Sequence, residues 1–143
     1  MAAVGYSKTP LLKKLGIKEQ MKLLTVNEPR PYKELFSNFP DAIDTSPQLQ
    51  NQSLDLIHIF IKTKTELVTI VNRIKPLLKK EGILWVSWPK GSSSIKTELK
   101  REPIREYILK TGLVDIKVCA VDADWSGLKF VFRKKIDKPL PKL

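Results

Sequence analysis

The sequence predicts an α/β protein, a three-layer sandwich built on a mostly parallel, twisted sheet with an antiparallel strand from a C-terminal hairpin. Three observations predict this class. Apolar runs typical of buried strands alternate along the chain with amphipathic helical stretches. The run "LDLIHIFI", residues 54–61, is almost continuously apolar, as expected for a parallel strand covered on both faces. Near the C-terminus, the turn-rich "DADWSG" separates "VDIKVCAV" from "LKFVFRK", which predicts a hairpin.

The first half of the chain predicts a short helix followed by strand, helix and strand. In "TPLLKKLG", Thr9 suits an N-cap, Pro10 the first helical position and Gly16 a left-handed C-cap, so we expect a helix over 10–15. Three further elements follow from apolar spacing: a strand at "MKLLTV" (21–26), a helix at "YKELFSNF" (32–39) and a short strand at 42–45.

The second half predicts two helices and the central strands. Thr63 and Glu66 have capping-box spacing ahead of an apolar stripe, so we expect a helix that ends near Gly82 and is kinked at Pro76. The run "ILWVSWP" predicts a strand, and "REPIREYILKTG" predicts a helix. The side chains expected in the core are Ile57, Ile59, Ile61, Ile70, Ile74 and Val86.

Length and charge limit the classes of function. The 143 residues predict one domain over 1–136, with a flexible basic tail at 137–143. A net charge of +11 is compatible with an anionic partner, but the basic residues are spread along the chain without an aromatic RNA-binding signature. This favours a solvated basic surface over specific nucleic-acid recognition. The sequence shows neither a signal-peptide layout nor an apolar run near the ~20 residues of a membrane span, so we expect a cytoplasmic protein without a membrane partner.

Few residues are candidates for metal or catalytic chemistry. Cys119 is the single cysteine and His58 the single histidine, which excludes an internal disulfide and a Cys/His zinc site. We expect Cys119 to be a small buried apolar residue. His58 lies within a strand, where a hydrogen-bonded core histidine is favoured over a general base. The sequence therefore predicts no catalytic residue and no metal.

The segment from "SLDLIHIF" to "IKPLLKKEGILWVSWP" resembles the second half of class I S-adenosylmethionine-dependent methyltransferases. In that family an "FDLV" strand, an "LKPGG" helix end and a strand with an antiparallel hairpin complete the sheet. The resemblance covers Leu54 to Lys134 and implies that the last strand inserts beside the one carrying "LWVSW". The segments "GYSKTPLLKKLGIK", "LWVSWPK" and "VCAVDADWSGLKFVFRK" are also similar to a family of small bacterial proteins of unknown function, which implies no mechanism.

The turn "NEPRPY" departs from the methyltransferase pattern. A cofactor-binding turn after the first strand needs glycines, so that the backbone can approach the ligand. No glycine occurs between Gly16 and Gly82, and Pro29 and Pro31 each remove a backbone N–H. Asp44 is the candidate for a ribose-binding carboxylate, although its strand is very short and the family's adenine-side elements do not fit before Leu54. We therefore expect no cofactor.

Polar and aromatic residues are expected where the strands end at their carboxyl edge, since open α/β sheets bind ligands there. These rim residues are Asn27, Glu28, Lys62, Trp88, Lys90, Asp122, Asp124 and Trp125. Together in one cleft, they would bind a small polar or aromatic ligand. Each also has a structural explanation, because tryptophans cap cores and aspartates favour turns.

The leading functional hypothesis is a cofactor-free, methyltransferase-like domain that binds a protein or a small metabolite. Its binding would depend on the rim formed by "WPKG" and "DADWSG" rather than on the turn "NEPRPY". One alternative is a reduced methyltransferase or nucleotide-binding enzyme with an unusual pocket. Another is a nonspecific nucleic-acid binder driven by charge.

Overall fold

A computed structural model describes residues 10–134 and shows one five-stranded sheet. The elements are α1 (Leu11–Leu15), β1 (Leu23–Val26), β2 (Leu54–Phe60), α2 (Lys64–Ile74), β3 (Leu78–Pro89), α3 (Arg101–Leu109), β4 (Leu113–Ala120) and β5 (Trp125–Phe132). The strand order in the sheet is β1-β2-β3-β5-β4. β1, β2 and β3 run parallel, and β5 is antiparallel to both β3 and β4. The predicted α/β class is confirmed, as is the insertion of the last strand beside β3.

Two layers of different composition cover the sheet. On one face, α2 and α3 bury an apolar cluster that includes Ile57, Val86 and Ile108. On the other face, α1, a 3₁₀ turn at Tyr32–Leu35 and the longer loops cover a cluster that includes Phe60 and Trp85. The indole N–H of Trp85 donates to the Leu15 carbonyl at 2.8 Å and so fixes α1 against β3.

Local sequence signals explain the ends of the helices. The Thr63 hydroxyl accepts the Glu66 N–H at 3.1 Å, and the Glu66 carboxylate accepts the Thr63 N–H at 3.2 Å, which is the predicted capping box. Gly16 ends α1 in the left-handed region with φ 79°, also as predicted. The expected Thr9 cap and the tail at 137–143 lie outside the described residues, and the single domain over 1–136 stays a prediction.

The predicted helix at 32–39 is wrong, because only the single 3₁₀ turn at Tyr32–Leu35 forms and Phe36 is already extended. Ser37 and Asn38 compete with helical hydrogen bonding, and Pro40 disfavours the helical conformation of the residue before it. The expected strand at 42–45 is reduced to one parallel bridge between Lys22 and Asp44.

The helix expected to reach Gly82 ends at Ile74, which is a second correction. Pro76 lacks the N–H that would continue the helix, and its ring would clash with the carbonyl four residues earlier. The chain passes through a 3₁₀ turn at Lys75–Leu77 and enters β3 at Leu78.

The predicted core is confirmed except at Ile70. Five of the six expected side chains are buried, namely Ile57, Ile59, Ile61, Ile74 and Val86. Ile70, on α2, packs against this core but is only partly buried. Cys119, expected to be buried, is also only partly so. No helix within residues 10–134 is long and apolar enough to cross a membrane.

Candidate functional site

The turn after β1 crosses the carboxyl edge of the sheet toward the hairpin between β4 and β5. It begins at Asn27, which lies in the left-handed region with φ 61°. The Thr25 hydroxyl donates to the Glu28 carboxylate at 2.7 Å and holds the turn closed. Arg30 then lies 3.8 Å from the Asp122 carboxylate. The turn "NEPRPY" and the hairpin turn therefore meet, although the sequence had suggested that they act separately.

The two rim aspartates hold loops together. The Asp122 carboxylate accepts the N–H groups of Asp124 and Trp125 at 2.8 and 2.9 Å. The Asp124 carboxylate accepts the Ser93 hydroxyl at 2.8 Å, and its carbonyl accepts the Lys90 N–H at 2.8 Å. Lys90 thus reaches Asp124 through the backbone, and the ion pairs found between residues 10 and 134 do not join their side chains.

The two rim tryptophans do not share a cleft. Trp125 packs edge-on to Phe60, with ring centroids 5.2 Å apart, on the α1 face of the sheet. Trp88 belongs to the cluster beneath α2 and α3. The register explains this separation, because Pro89 rather than Trp88 is paired with Trp125, and neighbouring strand positions point to opposite faces. Both side chains are also largely buried, and the expectation that they share one cleft is wrong.

Two open clefts border the loop between β3 and α3. The rim cleft, of about 420 Å³, lies between the turn after β1 and the hairpin turn. Its lining residues are Pro29, Arg30, Ile95, Asp122, Ala123, Asp124 and Trp125. Arg30 and the two aspartates give it both signs of charge, while Ile95 and Trp125 supply apolar surface. A ligand with charged and apolar parts would match this lining.

The second cleft, of about 520 Å³, lies at the start of α2 and contains Lys62, apart from the other rim residues. The Glu66 carboxylate accepts the N–H groups of Lys62 and Thr63, and the Glu98 carboxylate accepts the Lys64 N–H at 2.8 Å. These donors of the helix start are therefore occupied by carboxylates of the chain itself.

His58 is fully buried and lies between two hydroxyl groups. Its Nδ1 is 2.7 Å from the Tyr32 hydroxyl, and its Nε2 is 2.7 Å from the Ser87 hydroxyl. Burial lowers the pKa of His58 to about 3, so the imidazole is neutral at pH 7. Burial also raises the pKa of the Tyr32 hydroxyl. The predicted core histidine is confirmed.

An aromatic cluster fills the α1 face beneath the carboxyl edge, and it consists of Tyr32, Phe36, Phe39, His58, Phe60 and Trp125. Tyr32 is its centre, with ring centroids 5.2 Å from Phe36 and 6.4 Å from Phe60. Sequence reasoning missed Tyr32 because it read "YKELFSNF" as a helix. The signal that would have found it is the density of aromatic side chains directly after the first strand.

Asp44 does not occupy the place expected for a ribose-binding carboxylate. The Leu23 N–H donates to the Asp44 carbonyl at 2.9 Å, which puts Asp44 beside the amino end of β1. Its carboxylate accepts the Ser46 N–H at 3.0 Å. The turn after β1 lies at the opposite end of that strand. Across residues 10–134, no group of three or more His, Cys, Asp or Glu side chains is arranged to hold a metal.

Comparison with solved structures identifies the class of fold. The chain is similar to an S-adenosylmethionine-dependent methyltransferase from Aquifex aeolicus, with 14% identity, a TM-score of 0.55 and coverage of 84% of this chain and 86% of that one. It is also similar to a putative S-adenosylmethionine-dependent methyltransferase from Listeria monocytogenes, with 9% identity, a TM-score of 0.57 and coverage of 86% and 96%.

A third similar structure is a 30S ribosomal A1408 methyltransferase from an uncultured bacterium, with 11% identity, a TM-score of 0.51 and coverage of 86% and 92%. No family model matches the sequence, and no curated protein shows significant sequence similarity to it. At these identities the similarity shows the fold alone. The chain therefore has a methyltransferase-like α/β fold, with a mixed five-stranded sheet in residues 10–134.

Proposed function

We propose that the chain is a methyltransferase-like domain that acts by binding, without S-adenosylmethionine. The observation that carries this proposal is the aromatic cluster beneath the carboxyl edge. In sheets of this kind a ligand lies outside the carboxyl ends of the strands, where the chain leaves the first strand. Here Tyr32 and Phe60 pack against each other at that place, and the Tyr32 hydroxyl is bonded to His58.

The turn above the aromatic cluster supports the same proposal. Asn27 occupies the left-handed position where a glycine would leave the backbone open to a ligand. Pro29 and Pro31 supply no N–H to a ligand. A dinucleotide-like or nucleoside cofactor would have to displace buried aromatic side chains to enter, which would expose apolar surface to water.

The rim cleft is the binding site in this proposal, and a small amphipathic molecule or a protein segment is its ligand. Arg30 would pair with an anionic group and Asp124 with a cationic one, over the apolar contact of Ile95. The loops around the cleft are fixed by the contacts of Asp122 and Asp124, so the site is largely preformed.

The experiment has two arms. In the first, S-adenosylmethionine is titrated into the protein in a calorimeter, and we expect no measurable heat of binding. Micromolar affinity would overturn the cofactor-free part of the proposal. The second arm is a thermal-shift screen against small metabolites and nucleotides, in which a ligand of the native state raises the melting temperature by mass action.

Ala123→Arg is the site variant for the second arm, because Ala123 is exposed and lines the rim cleft, so the new side chain fills it without entering the core. Thr69→Arg, on the exposed face of α2, adds the same charge elsewhere and is the matched control. We expect a stabilising ligand to shift the parent and the control but not Ala123→Arg. Equal shifts in all three proteins would show that the rim cleft is not the site.

A further inference from the structure

We propose that a lysine cluster, made of Lys14, Lys18, Lys117 and Lys129, binds the phosphate backbone of a nucleic-acid duplex. It lies on the α1 face of β4 and β5, and none of its members lines the rim cleft. Lys117 and Lys129 are register partners on these neighbouring strands. Both of these lysines lie beside the end of α1. Lys117 Nζ is 3.4 Å from the Lys14 carbonyl, and Lys129 Nζ is next to Gly16, 3.9 Å from where a Cβ atom would be attached to that glycine.

The charges of the lysine cluster repel one another. Like charges directly opposite on paired strands destabilise a sheet. Burial lowers the pKa of Lys129, and the positive charges of Lys117 and Lys18 lower it further. The four ion pairs found between residues 10 and 134 involve none of these lysines. The Lys14 carbonyl near the negative end of α1 accounts for the position of Lys117, whereas within residues 10–134 Lys18 and Lys129 take part in no ion pair.

The surroundings of the lysine cluster select the kind of anion. In residues 10–134, the exposed large apolar side chains are Leu49, Ile116 and Val118. Val118 is paired with Leu128, so it points to the opposite, α3 face of the sheet, and Ile116 lines a cleft there with Arg101 and Arg105. Lys117 borders this cleft as well. The lysine cluster therefore offers neither the apolar surface that inserts into a membrane nor the exposed aromatic rings on which single-stranded bases stack. Lysines acting as point charges suit the regularly spaced phosphates of a duplex.

Binding to such a backbone would be independent of base sequence and dependent on salt, since each neutralised phosphate releases counterions. Four lysines would give a plot of log affinity against log salt concentration with a slope of about −3 to −4. Binding by the lysine cluster can be distinguished from a general effect of the +11 net charge. Removing these four lysines should lower the affinity for a duplex more than removing four lysines elsewhere.

The experiment measures fluorescence anisotropy of labelled DNA and RNA duplexes of about 20 base pairs. The site variant changes Lys14, Lys18, Lys117 and Lys129 to Gln. The matched control changes four exposed lysines away from the cluster to Gln, namely Lys80, Lys96, Lys100 and Lys110. We expect the site variant to lose at least about tenfold in affinity at low salt and most of the salt slope, while the control changes about threefold or less.

Equal losses in the two variants, or no duplex binding by the parent at low salt, would overturn the proposal. Binding to phosphatidylserine vesicles without binding to a duplex would overturn it as well. Because Lys129 is partly buried, circular dichroism checks the fold of the site variant. If that variant fails to fold, a triple variant that leaves Lys129 in place is used instead, namely Lys14→Gln, Lys18→Gln and Lys117→Gln. Its duplex affinity and salt slope are compared with those of the control in the same way.

Discussion

His58 shows how a single residue is constrained by its surroundings. The imidazole is buried between the hydroxyls of Tyr32 and Ser87 and stacks on Phe60, with ring centroids 4.3 Å apart. Sequence reasoning placed His58 in a strand and favoured a hydrogen-bonded core position over a general base. Its two partners come from residues 26 and 29 positions away, so no local pattern identifies them.

The burial of His58 leads to a testable pH dependence. Its pKa is about 3 in the folded protein and 6.5 in the unfolded chain, so between these values the unfolded state binds more protons. The free energy of unfolding should therefore fall as the pH is lowered below 6.5, by up to about 1.4 kcal/mol per pH unit from this group. Urea unfolding at pH 7, 6 and 5 measures the dependence in the parent and in His58→Asn.

His58→Asn keeps all the carboxylates, so their contribution is common to both proteins. We expect the variant to be less stable at pH 7, because it loses packing and a hydrogen bond, but to lose less stability on acidification. Parallel pH profiles for the two proteins would show that His58 does not become protonated on unfolding in this range.

Elements with strong, continuous signals were predictable, and those decided by a single competing residue were not. β2 was recognised from its apolar run and α2 from its capping box. The end of α2 was misplaced because the apolar stripe continues past Pro76, where the missing N–H ends the helix. The segment after β1 was misread because its apolar spacing was given more weight than Ser37, Asn38 and Pro40, which disfavour a helix there.

The position of β2 at the centre of the parallel strands predicts a large effect of truncation there. Leu56 is fully buried and is paired with Leu23 on one side and Ile83 on the other. We expect Leu56→Ala to lower the free energy of unfolding by about 2–5 kcal/mol, because it leaves a cavity between packed elements. Chemical denaturation measures the change. Leu49→Ala, at a side chain that is 59% exposed, is the control and should be near neutral.

If Leu56→Ala lowers the free energy of unfolding by less than about 1 kcal/mol, the surrounding structure must be able to collapse into the cavity. That result would contradict a central, tightly packed position for Leu56.

For the whole molecule, the sheet topology was predictable but the arrangement of the site was not. The class of fold follows from the order of elements, and the place of β5 beside β3 followed from the methyltransferase resemblance. The rim residues were expected in one cleft, yet Trp88 and Trp125 lie on opposite faces and Lys62 lies in a second cleft. Their separation depends on the register between strands and on the conformation of the loops. Both are set by contacts between distant parts of the chain, which local sequence patterns do not reveal.

The net charge predicts how the stability of the whole molecule responds to salt. The chain carries 26 basic and 15 acidic residues, and the ion pairs within residues 10–134 number four. Self-repulsion should therefore outweigh attraction between side chains. Raising the ionic strength from about 0.01 M to about 0.15 M shortens the Debye length from about 30 Å to about 8 Å, which weakens interactions between distant charges most. We expect the midpoint of urea unfolding to rise with sodium chloride over this range. A midpoint that falls with salt would mean that specific ion pairs such as Arg105 with Asp115, at 3.0 Å, contribute more than the repulsion between lysines.

Lys129→Gln, which removes one member of a repelling pair, should be more stable than the parent by about 0.2–1 kcal/mol at low salt, and the difference should shrink as salt is added.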